Sequence, residues 1–176
     1  MVDLYIFAKE ADPVVVDEKR AIGTDQPLRF VAATTGRFPL FAVLELEKLS
    51  DTARMLQETF GNPGHVAGFD TSYSLKDGGK QIRWTKQYAH IAFSRIRAKP
   101  GRALEVLAGT SVVPGYNGSA IVAGSYDVLV EYGADEFDEL TGTLLNGLHV
   151  IPGSAWTETF VVTNYFYRGR RGDAES

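Results

Sequence analysis

The sequence contains no cysteine, which excludes disulfide bonds, thiolate catalysis and cysteine-ligated metals. It also contains no apolar run that approaches the roughly 20 residues a helix needs to cross a bilayer, so we expect that the protein does not span a membrane. The N-terminus lacks the basic segment and the cleavage site of a secretory signal, so we expect a cytoplasmic protein. The net charge of −4 argues against direct nucleic-acid binding, which depends on an excess of lysine and arginine.

Histidine is scarce as well, with single residues at positions 65, 90 and 149. None of them has a second histidine or a carboxylate at the spacing of a helical metal site. His65 and His149 lie near the ends of predicted helices, where a protonated imidazole is favoured by the helix dipole. We therefore predict structural histidines, no metal site and no cofactor.

Internal similarity divides the chain into two copies. Residues 36–45 and 124–133 share a glycine, an aromatic residue two positions later and then an apolar strand, at an offset of 88 residues. Asn62-Pro63-Gly64 and Ile151-Pro152-Gly153 repeat at an offset of 89 residues. Such a register predicts a duplicated structural unit. The predicted parts are a first repeat over residues 1–80, a second over residues 81–167 and a disordered tail over residues 168–176.

Alternation of apolar residues predicts four strands in each copy, and helical spacing predicts two helices. The resulting order is βαββαβ, so the predicted fold class is α+β with tandem ferredoxin-like repeats. In the second copy, Asp135 is the predicted N-cap of the second helix, and Ser50 is its counterpart in the first copy. The predicted buried stripes of the second copy consist of Ala103, Leu104, Leu107 and Ala108 on one helix and Phe137, Leu140, Leu144, Leu145 and Leu148 on the other.

A four-stranded sheet with both helices on one face leaves its other face bare. Two such faces can cover each other within one chain or between chains, and either solution predicts a dimeric α/β-barrel-like arrangement. Exposed aromatic residues also favour a homo-oligomer, because few monomers of this size expose so many. These aromatic residues are Trp84, Trp156, Tyr165 and Tyr167.

Four spaced motifs between His90 and Val162 carry a resemblance to a known family. They are the run from Arg97 to Gly101, the turn Gly124-Ser125-Tyr126-Asp127, the break at Ile151-Pro152-Gly153, and Thr157-Glu158-Thr159. In this order they resemble the ligand-binding (RAM) domain of the leucine-responsive regulator/AsnC family (Lrp/AsnC). Members of that family usually carry an N-terminal helix-turn-helix, and this chain shows no such segment before its first strand. The resemblance implies a non-enzymatic protein that senses an amino acid or a related small molecule.

The resemblance also implies a ligand site in the second copy. Asp127 matches an acidic position whose carboxylate can pair with an α-ammonium group. The alternative is that Asp127 only caps its own turn. In the first copy Pro39 stands at this position, so that copy should not bind an amino acid in the same way. The predicted ligand-binding residues are Ile121, Gly124, Tyr126, Asp127, Thr159, Phe160 and Val161.

An enzyme is the alternative, because paired ferredoxin-like units also form small monooxygenases, isomerases and haem enzymes. A haem site with one axial histidine stays open on this basis, and so does a purely structural oligomerisation module. No catalytic residue is predicted. Glu105, Glu131 and Glu158 are interpreted as solvent-facing residues or as partners of Arg95, Arg97 and Arg102.

Overall fold

The structure is a computed structural model, and it describes residues 2–12, 14–21, 27–61, 66–75 and 88–168. The first half of the chain contains β1 (Val2–Ala11), α1 (Val14–Ala21), β2 (Leu28–Thr34), β3 (Leu40–Leu46), α2 (Thr52–Phe60) and β4 (Val66–Ser74). The second half contains β5 (His90–Ala98), α3 (Ala103–Thr110), β6 (Tyr116–Ala123), β7 (Val128–Ala134), α4 (Phe137–Gly147) and β8 (Ser154–Tyr167). The α+β class is confirmed, and the order βαββαβ occurs in both halves.

The chain forms two compact units. The first consists of Met1–Tyr73 with Thr163–Ser176, and the second of Ser74–Val162. The predicted boundary between residues 80 and 81 lies outside the described residues, and so does the predicted tail apart from Arg168. The predicted domain limits and the barrel-like arrangement stay predictions.

In the first unit, antiparallel pairing gives the strand order β4-β1-β3-β2. The end of β8 lies beside β2, where Thr163 Oγ1 donates to Ala33 O at 3.2 Å. Aliphatic residues such as Leu4 and Leu44 form the core that packs with the helices. The opposite face is aromatic and closely packed, with ring centroids of Phe7 and Phe41 4.7 Å apart. This unit is therefore stabilised from both faces of its sheet.

In the second unit the strand order is β6-β7-β5-β8, again antiparallel. Ala92, Ile96, Val128, Val130 and Tyr132 point to the helix side and form its core. Because side chains alternate along a strand, the residues between them lie on the other face.

The helix faces that meet the sheet agree in part with the two predicted stripes, because Leu140 and Leu148 belong to the core and Leu107 and Leu144 pack against it. Helix α3 buries Val106, whereas Leu104 is 68% exposed. Helix α4 buries Leu140, whereas Leu145 is 68% exposed. Helix α3 has 8 residues and α4 has 11, so each presents only about two or three turns to the sheet, and an apolar residue beside the buried row stays in solvent.

The predicted caps are also wrong. Helix α4 starts after Glu136, not after Asp135. Ser50 lies within a 3₁₀ turn over Leu49–Asp51 that precedes α2, and Asp51 takes the N-cap position.

Trp156 is exposed, while Tyr165 and Tyr167 are half-buried and Trp84 lies outside the described residues. Self-association stays a prediction. Within the described part of the chain, no helix is long and apolar enough to span a membrane.

Candidate functional site

The helix-free face of the second sheet carries two charged side chains that are almost fully buried. In the pairing of β5 with β7, Phe93 lies opposite Glu131 and Arg95 lies opposite Leu129. Directly opposed residues of an antiparallel pair share a face, so all four side chains lie on the helix-free face. Arg95 and Glu131 are diagonal neighbours there. We call this region the Glu131 face.

Glu131 is a carboxyl group in an apolar environment. It is 2% exposed, and this burial raises its pKa from 4.5 to about 8. A hydrogen bond from the Asn117 side chain opposes the effect, because it favours the charged form. Among the described residues, Glu131 Oε2 has no hydrogen-bond partner. At neutral pH the group is therefore mostly protonated and can donate a proton.

A β-bulge in β6 brings Asn117 to Glu131. Tyr116 pairs with Tyr132, and Gly118 pairs with Glu131, so Asn117 is an extra residue between two consecutive pairs. A bulge of this kind places two residues opposite one and changes the direction of a side chain. Gly118 has no side chain, so the directly paired residue of β6 leaves the carboxyl of Glu131 uncovered, whereas Phe93 is the directly paired residue on β5.

Glycines also shape the strand positions around the bulge. Gly133 follows Glu131 on the same face, and a Cβ built there would lie 2.1 Å from the ring of Tyr88. The Tyr88 ring therefore occupies the space that the side chain of any residue other than glycine would fill at position 133. Gly115, at φ +75°, accepts a hydrogen bond from Gly133 N at 2.9 Å and precedes the bulge.

We expect Gly115→Ala to destabilise the protein by about 2 to 3 kcal/mol, for two reasons. The alanine Cβ would lie 2.7 Å from Gly133 O, and alanine is strained at the positive φ of this position. Gly101→Ala is the matched control, because Gly101 has φ +77° and no atom within 4 Å of a built Cβ. It should cost about 1 kcal/mol. Urea unfolding of both variants measures the difference, and equal losses would contradict the close contact.

Arg95 forms the cationic part of the Glu131 face. Its Nη2 donates to Glu158 Oε2 at 2.6 Å. Its guanidinium also lies over three aromatic rings, 5.1 Å from the centroid of Tyr126, 5.5 Å from that of Phe160 and 5.9 Å from that of Trp156. Aromatic faces attract a desolvated cation, so the rings and Glu158 together hold the charge in a buried position.

The predicted partners of the three glutamates are correct in two cases. Glu158 pairs with Arg95, and Glu105 pairs with Arg102 at the surface. For Glu131 the prediction is wrong, because its partner is Asn117 and it is buried. The prediction assumed that Glu131 faces solvent, where it could pair with an exposed arginine. Its face of β7 is buried instead.

The predicted ligand-binding residues do not form one cluster. Tyr126 and Phe160 meet at Arg95, whereas Thr159 Oγ1 lies 2.7 Å from Ser94 Oγ and Val161 packs against the helix-side core. Gly124 is exposed, and Ile121 O accepts a hydrogen bond from Leu75 N at 2.9 Å.

The Asp127 carboxylate is bonded to the backbone. Its Oδ2 accepts a hydrogen bond from Ala98 N at 2.8 Å, which links the turn before β7 to the end of β5. A ligand-binding role for these seven residues stays a prediction.

The histidines form no visible metal site. His90 lies on β5 with its ring 5.5 Å from that of Phe137, while His65 and the side chain of His149 lie outside the described residues. In the described ranges, no three His, Asp or Glu residues are close enough together to hold a metal ion.

The first unit contains a separate apolar cavity of about 320 Å³ between α2 and β4. Phe60 and Phe69 form one wall, with ring centroids 5.8 Å apart. The remaining lining residues are Ala53, Leu56, Gln57, Gly61 and Val66.

No protein-family model matches the sequence, and no curated protein matches it. Solved structures do match the fold. The siroheme decarboxylase NirDL is 13% identical, with a TM-score of 0.66 over 96% of this chain and 73% of its own. A variant of chlorite dismutase from Candidatus Nitrospira defluvii is 9% identical, with a TM-score of 0.56 over 93% of this chain and 91% of its own.

AsnC from E. coli also matches, at 22% identity over 44% of this chain and 52% of its own, with a TM-score of 0.40. At these identities the likeness is one of fold, of the ferredoxin-like type. The prediction of a non-enzymatic sensing protein is wrong, because siroheme decarboxylase and chlorite dismutase, which match over 96% and 93% of this chain, are enzymes. The motifs that suggested sensing cover only the second half of the chain.

Proposed function

We propose that this protein is an enzyme that donates a proton from Glu131 to a carboxylate-bearing substrate, with decarboxylation as the reaction. The observation that carries the proposal is the buried Glu131 carboxyl, whose pKa is raised to about 8. Groups with such pKa values are concentrated in active sites, because a general acid works best when its pKa lies near the working pH. The enzymes among the structural matches support a catalytic role, and one of them is a decarboxylase.

The proposed reaction needs no oxidant. The bond between the substrate carbon and its carboxylate breaks, CO₂ leaves, and the electron pair stays on the carbon. That carbon takes the proton from Glu131 Oε2, and the glutamate regains a proton from solvent. A protonated carboxyl is the form required, and burial maintains it at neutral pH.

Arg95 would attract the negatively charged carboxylate of the substrate. It lies on the same face as Glu131, and its positive charge is buried and held by Glu158 and three rings. In a site of low dielectric constant such a charge acts over a longer range than in water. A carboxylate near Arg95 would place the neighbouring carbon toward Glu131.

The first test uses siroheme as the probe, because a structural match acts on it, and iron-uroporphyrin III as the second probe. The reaction is run in D₂O and followed by mass spectrometry. We expect loss of CO₂ with one deuterium gained for each CO₂ lost. Deuterium uptake without loss of CO₂ would indicate isomerisation instead, and no change with either probe would remove tetrapyrrole carboxylates as substrates.

We expect Glu131→Gln to lower kcat by about 10² to 10⁴, the usual contribution of a general acid, because the amide cannot donate an acidic proton. Glu105→Gln is the control, since Glu105 is a surface residue paired with Arg102. It should leave kcat within about twofold of the parent value. Equal activity of the parent and the Glu131→Gln variant would reject Glu131 as the acid.

A further inference from the structure

The bulge in β6 has a role that the proposed reaction does not itself require. A regular strand would place one residue of β6 opposite Glu131, whereas this strand places two residues, Asn117 and Gly118, at that position. The extra residue adds a side chain, Asn117, on the same side as the carboxyl. Gly115 and Gly133 support this irregular segment through the hydrogen bond from Gly133 N to Gly115 O.

We infer that Asn117 is a positioning residue that holds the Glu131 carboxyl in one orientation, so that Oε2 is the oxygen that carries and donates the proton. This inference rests on the proposed function of Glu131. Asn117 is itself buried, and its amide hydrogen-bonds the Glu131 carboxyl. A carboxyl held through one oxygen cannot rotate freely, and its other oxygen, Oε2, is buried without a hydrogen-bond partner among the described residues. Preorganisation of this kind lowers the cost of reaching a reactive geometry.

The electrostatic surroundings allow the effect of Asn117 to be measured. Among the described residues of this sheet, the charged neighbours of Glu131 on this face are Arg95 and the exposed Arg97 from β5 and Glu158 from β8, and the phenols of Tyr88 and Tyr126 face it too. Within the described strands β6 and β7, no charged side chain other than Glu131 is present. A change at Asn117 therefore alters the nearest polar neighbour of Glu131 and leaves the charges in place.

The decisive substitution is Asn117→Asp, which keeps the shape and replaces an amide donor with a carboxylate. We expect the pKa of Glu131 to rise by at least one unit, a tenfold change in its protonation equilibrium, because two adjacent carboxyls share one proton. The measurement is an NMR titration of full-length protein labelled with ¹³Cδ-glutamate. The signal of Glu131 is assigned by its loss in the Glu131→Gln variant.

Ser119→Ala is the matched control on the same strand, since Ser119 Oγ lies 2.8 Å from Tyr116 Oη and pairs with Val130 on the helix side. It should leave the titration of Glu131 unchanged. Asn117→Ser, whose hydroxyl is too short to reach the carboxyl, should raise the pKa of Glu131 by about one unit without adding charge. If a variant failed to fold, the pKa of Glu131 would fall to its ordinary value of 4.5 instead of rising.

The outcomes separate the two proposals. If Glu131 titrates near 8 in the parent and neither Asn117 variant moves it, the positioning role is rejected and the acid role stands. If Glu131 titrates near 4.5 in the folded parent, the proposed function fails first and the positioning role fails with it. With siroheme turnover, the basic limb of the pH–rate profile should move with the pKa in the Asn117→Ser variant and stay in place in the Ser119→Ala variant.

Discussion

Replacement of Glu131 by glutamine is expected to stabilise the protein at alkaline pH by several kcal/mol. In the folded state burial raises the pKa of Glu131 from 4.5 to about 8. This difference corresponds to about 5 kcal/mol, at about 1.4 kcal/mol per pKa unit, and relaxation around the charge makes that an upper value. The measurement is the free energy of unfolding in urea of both proteins between pH 5 and pH 9.

The direction of the effect follows from proton binding. Between pH 4.5 and about 8 the folded state keeps the proton of Glu131, while the unfolded state has lost it. Stability therefore falls as the pH rises through this window, since the unfolded state binds fewer protons. Below pH 4.5 both states are protonated and the group contributes nothing. Above about 8 the full cost of a buried carboxylate is present, and the glutamine variant avoids that cost.

The contributions of the other titrating groups to the free energy of unfolding cancel when the variant is compared with the parent at each pH. The stability difference should be small at pH 5, where glutamine replaces a protonated carboxyl of nearly the same shape. It should grow between pH 5 and about pH 8 and level off by pH 9. Glu105→Gln, at the surface, should change stability by less than about 0.5 kcal/mol at either pH. A constant difference between the Glu131→Gln variant and the parent would mean that Glu131 ionises normally in the folded protein.

A carboxyl that destabilises the fold above neutral pH has no structural benefit to explain it. A neutral residue such as glutamine would fill the same space at lower cost. Residues that reduce stability in this way are concentrated at functional sites, where the strain or the charge serves the reaction. The expected gain in stability and the expected loss of activity in the Glu131→Gln variant are therefore two results of one property.

The order of elements could be predicted from the sequence because it depends on local patterns. Val128, Val130 and Tyr132 alternate along β7, a pattern typical of a strand with one buried face, and this face packs against the helices. The caps and two helix stripes were less accurate. Leu104 and Leu145 satisfy the helical spacing, yet the packing angle of a short helix decides which apolar residue reaches the sheet.

The site could not be found by the same reasoning. A strand with one buried face suggests that the residues between the buried ones face water, and this made Glu131 look exposed. Two signals pointed the other way. Leu129 lies on the same face and is apolar, and Asn117-Gly118 interrupts an otherwise regular strand pattern. A bulge becomes visible only when the partner strand and its register are known.

The function was predicted from motifs that describe turns. Gly124 and Asp127 do lie in the turn between β6 and β7, and Asp127 Oδ2 accepts a hydrogen bond from Ala98 N. Turn motifs of this kind recur wherever the fold recurs, whatever the chemistry of the protein. The residues that carry the proposed reaction lie in the strands, on the side of the sheet away from the helices.

The ion pair between Arg95 and Glu158 should respond unequally to the loss of either partner. The Arg95 side chain is 4% exposed and that of Glu158 is 20% exposed. Glu158→Met leaves a buried cation without its counter-ion, and we expect a loss of about 3 kcal/mol. Arg95→Met leaves a carboxylate that can reach water, and the methionine packs among the same three rings. We expect that loss to be about 1 to 2 kcal/mol.

The double variant, with methionine at both positions, should be within about 1 kcal/mol of the parent, because apolar residues can replace a buried pair at little cost. Guanidinium unfolding of the four proteins gives the coupling between the two sites. The exposed pair of Arg54 and Glu58 on α2 is the control, with an expected coupling below about 0.5 kcal/mol. If Glu158→Met cost no more than Glu58→Met, the cation of Arg95 would have to be solvated, and a low-dielectric site beside Glu131 would be ruled out with it.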